Sequence, residues 1–283
     1  VFFFQGPWHK EAIAKDGRWN EYLLGDRPLA SPYRMRRAVD AYILKRCTRF
    51  VTLSDYMLEE AKEIRPDIGG KHLKIPGGVD TGRFHPPADR AVLRAELGIP
   101  EDKIVILTVR RLDRRMGLEN LIRAMSEIET QRDDVVLLIG GRGEIWDELN
   151  ALVAQLGLQR TQLVGYISYE KDLPKYYQAS DLFIMPSVTM EGFGLSTVEA
   201  LSCGIPVLGT PTGGTPEILR EILPDFILDS AEPSDIARGI LAKIDGLRAG
   251  QWRDTVRAFA ERYSWQRIAD KVENAFTEVV AGR

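Results

Sequence analysis

From Ala91 onward, short continuous apolar runs alternate with longer segments in which apolar residues recur every three or four positions. Ile104–Val109, Val135–Ile139, Gln162–Val164, Leu182–Met185 and Pro206–Leu208 read as strands, with a further short one near Phe226. The intervening segments, Leu118–Ile128 and Ile145–Leu156 among them, have helical spacing. Strands that are apolar throughout, alternating with helices, predict an α/β fold with a doubly wound parallel sheet covered on both faces. Ligands of such sheets collect beyond the carboxyl ends of the strands. Each glycine-rich segment of this chain falls at such an end.

The first eighty residues repeat the pattern on a smaller scale. Val1–Phe4 reads as a strand ending in a Gly-Pro turn, and Phe50–Leu53 and His72–Ile75 as two more. Arg34–Arg46 has helical periodicity, with Met35, Val39, Tyr42 and Ile43 on one side and arginines on the other. Ser54 is placed to cap a helix over Asp55–Ile64. Pro76-Gly77-Gly78-Val79-Asp80 is a loop, and Arg83–Asp89, with two prolines, reads as a linker. The organisation expected is therefore a partial Rossmann-like domain over 1–82, a complete one over 83–250, and terminal helices over 251–283, with Trp252–Val280 helical.

Composition narrows the class without changing this picture. The 283 residues are 44% hydrophobic and 28% charged, ordinary for a globular protein. The net charge of −3 divides into +3 over residues 1–80 and −6 over the rest. Nucleic-acid binding, which calls for a much more basic domain, is not expected. Cys47 and Cys203 sit in apolar helical contexts and suit buried thiols in a reducing compartment. His9, His72 and His85 are too scattered for a metal site. No run approaches membrane-spanning length and Val-Phe-Phe-Phe lacks the form of a signal peptide, so a cytoplasmic placement is expected. Arg34, Arg36, Arg37, Lys45, Arg46 and Arg49 suit either a solvated helix face or an anionic membrane surface.

The most informative chemistry lies after the strand Leu182–Met185. Glu191 and Glu199 bracket Gly192-Phe193-Gly194-Leu195, a glycine turn running into a helix. Glycines permit close approach, and a helix start offers free N–H groups and a positive dipole end, the requirements of a phosphate site. The run from Glu191 through Glu199 to Val207 resembles the paired-glutamate signature of family 4 glycosyltransferases, retaining enzymes of the GT-B fold. By that resemblance Glu199 holds a nucleotide ribose, Glu191 lies near the donor sugar, and the N–H groups of Phe193, Gly194 and Leu195 meet the phosphates.

Other segments extend the resemblance over nearly the whole chain. Arg110-Arg111-Leu112-Asp113-Arg114-Arg115-Met116-Gly117 is similar to the family's Gly-Arg-Leu-x-x-x-Lys-Gly. Arg111 matches the arginine that stabilises the departing diphosphate, whereas Met116 stands where the family has lysine, leaving Arg115 or another neighbour to substitute. Gly141, in Gly140-Gly141-Arg142-Gly143-Glu144, borders the nucleotide pocket by resemblance, and Tyr166 and Ile167 line the base. Tyr166 suits a core aromatic equally well. Gly213 and Gly214 resemble a loop facing the donor sugar. Phe4-Gln5-Gly6-Pro7-Trp8 is similar to a His-Gly-Pro-Trp segment, with Gln5 in the histidine's place. Gln5 cannot act as a base but can donate a hydrogen bond to the donor.

The resemblance implies a retaining hexosyltransferase in glycan biosynthesis, moving a sugar from a nucleotide-diphosphate donor to the hydroxyl of a glycan, a lipid-linked acceptor or a small molecule. No cofactor or metal is expected. A catalytically impaired nucleotide-sugar-binding module and a nucleotide-sugar epimerase are the alternatives, the first favoured by Met116 and Gln5. A first domain of ordinary size needs roughly 100 further residues. The missing segment is expected to lie on a separate chain, to have been lost, or to be compensated by oligomerisation.

Overall fold

The computed structural model describes residues 1–16 and 31–281. The chain forms two compact units: Val1–Gly77 with Met190–Phe193 and Gln266–Arg283, and Gly78–Thr189 with Gly194–Trp265.

The first unit is built on a parallel sheet of β1 (Phe2–Phe3), β2 (Phe50–Thr52) and β3 (His72–Lys74), in that spatial order. Successive residues of β2 point to opposite faces. Phe50 packs with Phe4, Leu44, Met57, Ala61, Ile64 and Ile68, whereas Val51 meets Ile75 and, from the terminal helix, Ile268 and Ala275. Helices α1 (Trp8–Lys15), α2 (Ser31–Arg46) and α3 (Asp55–Ile64) complete the described part of this unit. Ser54 caps α3, its Oγ accepting from Met57 N at 3.2 Å.

Helix α2 does not bury the apolar side read from the sequence. Met35 is 63% exposed, with Val39 and Tyr42 also exposed, while Tyr33, Asp40 and Leu44 face inward. Polar contacts select this face: the Asp40 carboxylate accepts from Trp8 N at 3.0 Å, and the Tyr33 hydroxyl donates to Asp16. Several cations of the arginine-rich stretch are engaged locally. Arg37 donates to Glu63 O at 2.7 Å, Arg36 lies over Trp8, and Arg46 lies over Tyr42.

The second unit follows the expected doubly wound plan. Its strands β4 (Ile104–Val109), β5 (Val135–Gly140), β6 (Thr161–Gly165), β7 (Leu182–Met185) and β8 (Val207–Gly209) are all parallel, in the order β6-β5-β4-β7-β8. Helices α4 (Arg90–Glu96), α5 (Leu118–Gln131), α6 (Trp146–Gln155), α7 (Leu173–Ala179), α8 (Leu195–Ser202) and α9 (Thr215–Ile222) separate or flank the strands, followed by α10 (Pro233–Leu241), α11 (Ile244–Arg248) and α12 (Arg253–Ala260). The strand order reverses direction between β4 and β7, which opens a crevice at their carboxyl ends.

Two elements differ from the sequence pattern. Near Phe226 the chain makes a 3-10 turn, Pro224–Phe226, and pairs with the sheet through an isolated bridge between Gly209 and Ile227. The side chain of Phe226 is instead drawn onto Trp252, with ring centroids 4.8 Å apart. The terminal helical stretch is broken: α12 ends at Ala260, and α13 begins at Trp265 and runs to Ala281. Between them Tyr263 O accepts from Val79 N at 2.8 Å, and Trp265 N donates to Val79 O at 3.1 Å. Pairing with the chain at Val79 replaces the helical bonds there.

The pairing of β4 with β7 is anchored at their amino ends by Asp181. Its buried carboxylate accepts from Val105 N at 2.8 Å, Arg90 at 2.5 Å, Arg94 at 2.6 Å and Arg253 at 3.2 Å. Arg94 is itself buried and also donates to the carbonyls of Ala179, Glu101 and Lys103. Removing one member of such a group strands buried charge, at a cost of about 3–5 kcal/mol. Asp181→Ala is therefore expected to lower unfolding free energy by about that amount in urea titrations. A loss below about 1 kcal/mol, the level of an exposed ion pair, would show that the cluster is not an anchor.

Candidate functional site

At the carboxyl ends of β4, β5 and β6 the second unit forms an open cavity of about 490 Å³. Its wall includes Arg110, Arg111 and Met116 from the loop after β4, Gly141 and Arg142 from the loop after β5, Tyr166, Ile167 and Tyr169 from the segment after β6, and Ser196 on α8. Backbone packing brings these loops together. A Cβ on Gly141, at φ +140°, would lie 1.8 Å from Arg110 O, and one on Gly117, at φ +71°, 1.8 Å from Pro186 O. Only glycine fits either place, so the loops after β4, β5 and β7 close on one another.

The cavity mixes cations with aromatic surface. Arg142 lies over the Tyr166 ring, its guanidinium carbon 4.0 Å from the centroid, and Tyr166 is 58% exposed. Tyr166 is therefore not a core aromatic. Arg114 is turned away, pairing with Glu119 at 3.0 Å and Glu148 at 2.6 Å. Arg115 is not among the described residues that line the cavity; its carbonyl accepts from Val188 N at 2.9 Å.

Glu199 lies on α8, one turn beyond the cavity-lining Ser196, and is buried. Its Oε2 accepts from the Tyr177 hydroxyl at 3.0 Å, and the Tyr169 hydroxyl also bonds to it. Burial pushes its pKa up to about 7, against the opposing pull of the two tyrosines and the Arg83 charge. Arg83 stacks on Tyr169 at 4.8 Å. The fully buried Tyr177 has its own pKa raised well above the ordinary value, first by burial and then by Glu199. Carboxylate, phenols and guanidinium thus form a small polar group beside the cavity.

The remaining candidates divide between the units. Gly194 and Leu195 begin α8, and Gly213 and Gly214 precede α9; the two helix starts adjoin through Thr197 and Thr215, whose hydroxyls are 3.5 Å apart. Glu191, Gly192 and Phe193 belong to the first unit. There the Ser54 Oγ that caps α3 also donates to Gly192 O at 2.5 Å, and a Cβ on Gly192 would lie 3.8 Å from Gln5 O. The structure therefore brings Gln5 and Gly192 together, and separately gathers Arg111, Met116, Gly141, Tyr166 and Ile167. His9 is buried on α1 with its pKa lowered to about 4, chiefly by desolvation. Among the described residues, no group of three or more His, Cys, Asp or Glu side chains is placed to hold a metal, and no helix is long and apolar enough to cross a membrane.

Sequence reasoning assigned no role to Arg83, Arg110, Tyr169, Tyr177 or Ser196. Tyr177 is 22 positions upstream of its partner on another helix, so no local spacing marks the pair. Arg110 carried a usable signal: it adjoins the candidate Arg111 at the end of β4.

The glycosyl transferases group 1 family matches residues 89–246, more than half of the chain, and the chain belongs to that family. A D-inositol 3-phosphate glycosyltransferase of Corynebacterium jeikeium is 34% identical over 216 residues, covering 72% of this chain and 51% of the relative. The chain spans about half the length of the curated relatives it matches. Among solved structures, sucrose-phosphate synthase of Thermosynechococcus elongatus superposes with a TM-score of 0.76 at 26% identity, covering 88% of this chain and 63% of that one. Anabaena HepE, in complex with UDP and glucose, gives 0.74 at 22% identity, covering 86% and 67%. The fold is of GT-B type, with two parallel-sheet α/β units.

The raised pKa of Glu199 has a defined consequence for stability. A carboxyl that holds its proton to about pH 7 when folded, but only to about 4.5 when unfolded, binds more protons in the native state between those values. Its contribution is therefore fully present below about 4.5, falls as pH rises toward 7, and is flat above. The slope is at most about 1.4 kcal/mol per pH unit. Glu199→Gln is expected to remove this fall in urea or thermal titrations across that range. An unchanged pH profile in the variant would contradict the assignment.

Proposed function

We propose that this chain binds a nucleotide-diphosphate sugar in the cavity of its second unit and serves retaining transfer of the sugar to an acceptor hydroxyl. One observation carries the reading: cations, an exposed aromatic and a helix start border one cavity at the carboxyl ends of a parallel sheet, with a buried carboxylate one helical turn away. The parts suit the parts of the ligand. The Arg142–Tyr166 stack and the backbone near Ile167 offer a flat surface for a base, and Glu199 an acceptor for ribose hydroxyls. Arg111 and the N–H groups at Gly194 and Leu195 offer positive potential for the diphosphate.

The chemistry follows from where charge develops. As the glycosidic bond breaks, negative charge builds on the diphosphate, and fixed positive groups lower the barrier by stabilising that charge more than the ground state. In this reading the departing phosphate takes the acceptor proton, so no protein nucleophile is required. In this reading Gly213 and Gly214 face the sugar. The positive field comes from arginines and the helix start rather than from a metal. Membership of a glycosyltransferase family and the name of the Corynebacterium jeikeium relative support sugar transfer.

Met116 favours a second reading, a module that binds nucleotide sugars without turning them over, because a thioether stands in the cavity wall where the family's pattern has a lysine.

Calorimetric titration of UDP, GDP and ADP, and then of their glucose and mannose derivatives, tests the proposal. One base series is expected to bind, and Glu199→Ala to weaken it about 10- to 100-fold, the range for losing charged hydrogen bonds. Transferred sugar with the donor's anomeric configuration is the product expected; tight binding without turnover favours the binding module, and an isomerised free sugar an epimerase. Failure of all three series to bind the folded chain would contradict the donor site.

A further inference from the structure

The cluster around Asp181 holds more positive charge than it cancels. Three guanidiniums, of Arg90, Arg94 and Arg253, face one carboxylate, an excess of two positive charges. The carboxylate is already saturated: Oδ2 accepts from Arg94 and from Val105 N, and Oδ1 from Arg90 and Arg253. Those bonds use about all that two carboxylate oxygens can accept. Among the described residues, no second acidic side chain pairs with any of the three arginines.

The three arginines are not equivalent. Arg94 is sealed in, its side chain 3% exposed, and its remaining donors are spent on the carbonyls of Ala179, Pro100, Glu101 and Lys103. Arg90 and Arg253 reach solvent, with side chains 28% and 27% exposed. Each places its Nη2 on Asp181 Oδ1, at 2.5 and 3.2 Å, which sets the two heads side by side. Their bonds to the carbonyls of Ala179 and Ser180 run through the same Nη2 atoms, and the buried Nε of Arg90 has no partner. Burial first, with repulsion from Arg253 and Arg94, outweighs the pull of Asp181 and lowers the Arg90 pKa to about 10, which leaves it charged at neutral pH.

Two guanidiniums held side by side and partly out of water repel one another. The donors that they do not spend on Asp181 belong to planar forks, which match the oxygens of an oxyanion. We infer that Arg90 and Arg253 together form an anion site at the amino ends of β4 and β7, which takes a tetrahedral oxyanion, either inorganic phosphate or the phosphate group of a monoester. The site lies at the end of the strands opposite the cavity, and it does not depend on the donor reading above. An anion bound there offsets the excess charge and ties α4 to α12 beside Asp181.

The test is thermal unfolding of the full chain at neutral pH in inorganic phosphate, in glycerol 3-phosphate and in sodium chloride of equal ionic strength. At least one of the two phosphates is expected to raise the midpoint by about 2 to 4 °C over chloride, as a ligand that binds only the native state does. The one that gives the larger rise identifies the form the site takes. Arg253→Gln is expected to abolish the rise, and Arg111→Gln, in the cavity wall, to keep it. No rise with either phosphate in the parent overturns the inference. So does a rise that survives Arg253→Gln, or one that Arg111→Gln removes, which places the anion in the cavity instead. If Arg253→Gln melts below the assay temperature, amide hydrogen exchange of the parent decides. Phosphate is expected to slow exchange at the starts of α4 and α12, and unchanged exchange there contradicts the site.

Discussion

The second unit depends on the pairing of β4 with β7, and that pairing is fixed by one carboxylate. Asp181 takes the N–H of Val105 and three guanidiniums at the amino end of the sheet. Ile106 then pairs with Leu182 and Leu107 with Phe183. A slip of one residue would exchange the side chains that β7 presents to the two faces of the sheet. It would also displace Met185, the last residue of β7, from the Arg110 head it now contacts. The site at the carboxyl end is set by a buried ion cluster at the amino end.

At the site, charge is divided by position. Cations of the loops after β4 and β5 border the cavity, whereas the acid, Glu199, is withdrawn into the base of α8 under two phenols. Burial alone would favour a protonated Glu199; the phenols and Arg83 oppose that and leave it balanced near neutrality. The arrangement separates a buried carboxyl from exposed cations within a few residues of chain.

Much of this architecture was legible in the sequence because it rests on local physics. Ile104–Val109 and Leu182–Met185 are continuous apolar runs, and they are strands within those bounds because a strand covered on both faces needs apolar residues throughout. Ser54 announces α3 because a cap is a contact three residues long. Where distant contacts decide, the pattern misleads. Helix α2 turns Tyr33, Asp40 and Leu44 inward through partners outside the helix, and the break at Glu261–Ser264 is made by Val79, nearly two hundred residues earlier. The candidate site divides in the same way. Glycine turns and the glutamate of α8 stand out as motifs, but the Tyr177–Glu199 bond and the contact of Arg110 with Met185 join residues that only the folded sheet brings together.

Amide hydrogen exchange with and without the tightest-binding nucleoside diphosphate tests the central claim most directly. The account predicts slowed exchange at Arg110 and Arg111, at Gly141 and Arg142, at Tyr166 and Ile167, and at Leu195–Thr197 at the start of α8, because these line or border the cavity. Binding that leaves those amides unchanged while protecting a different part of the chain would contradict it.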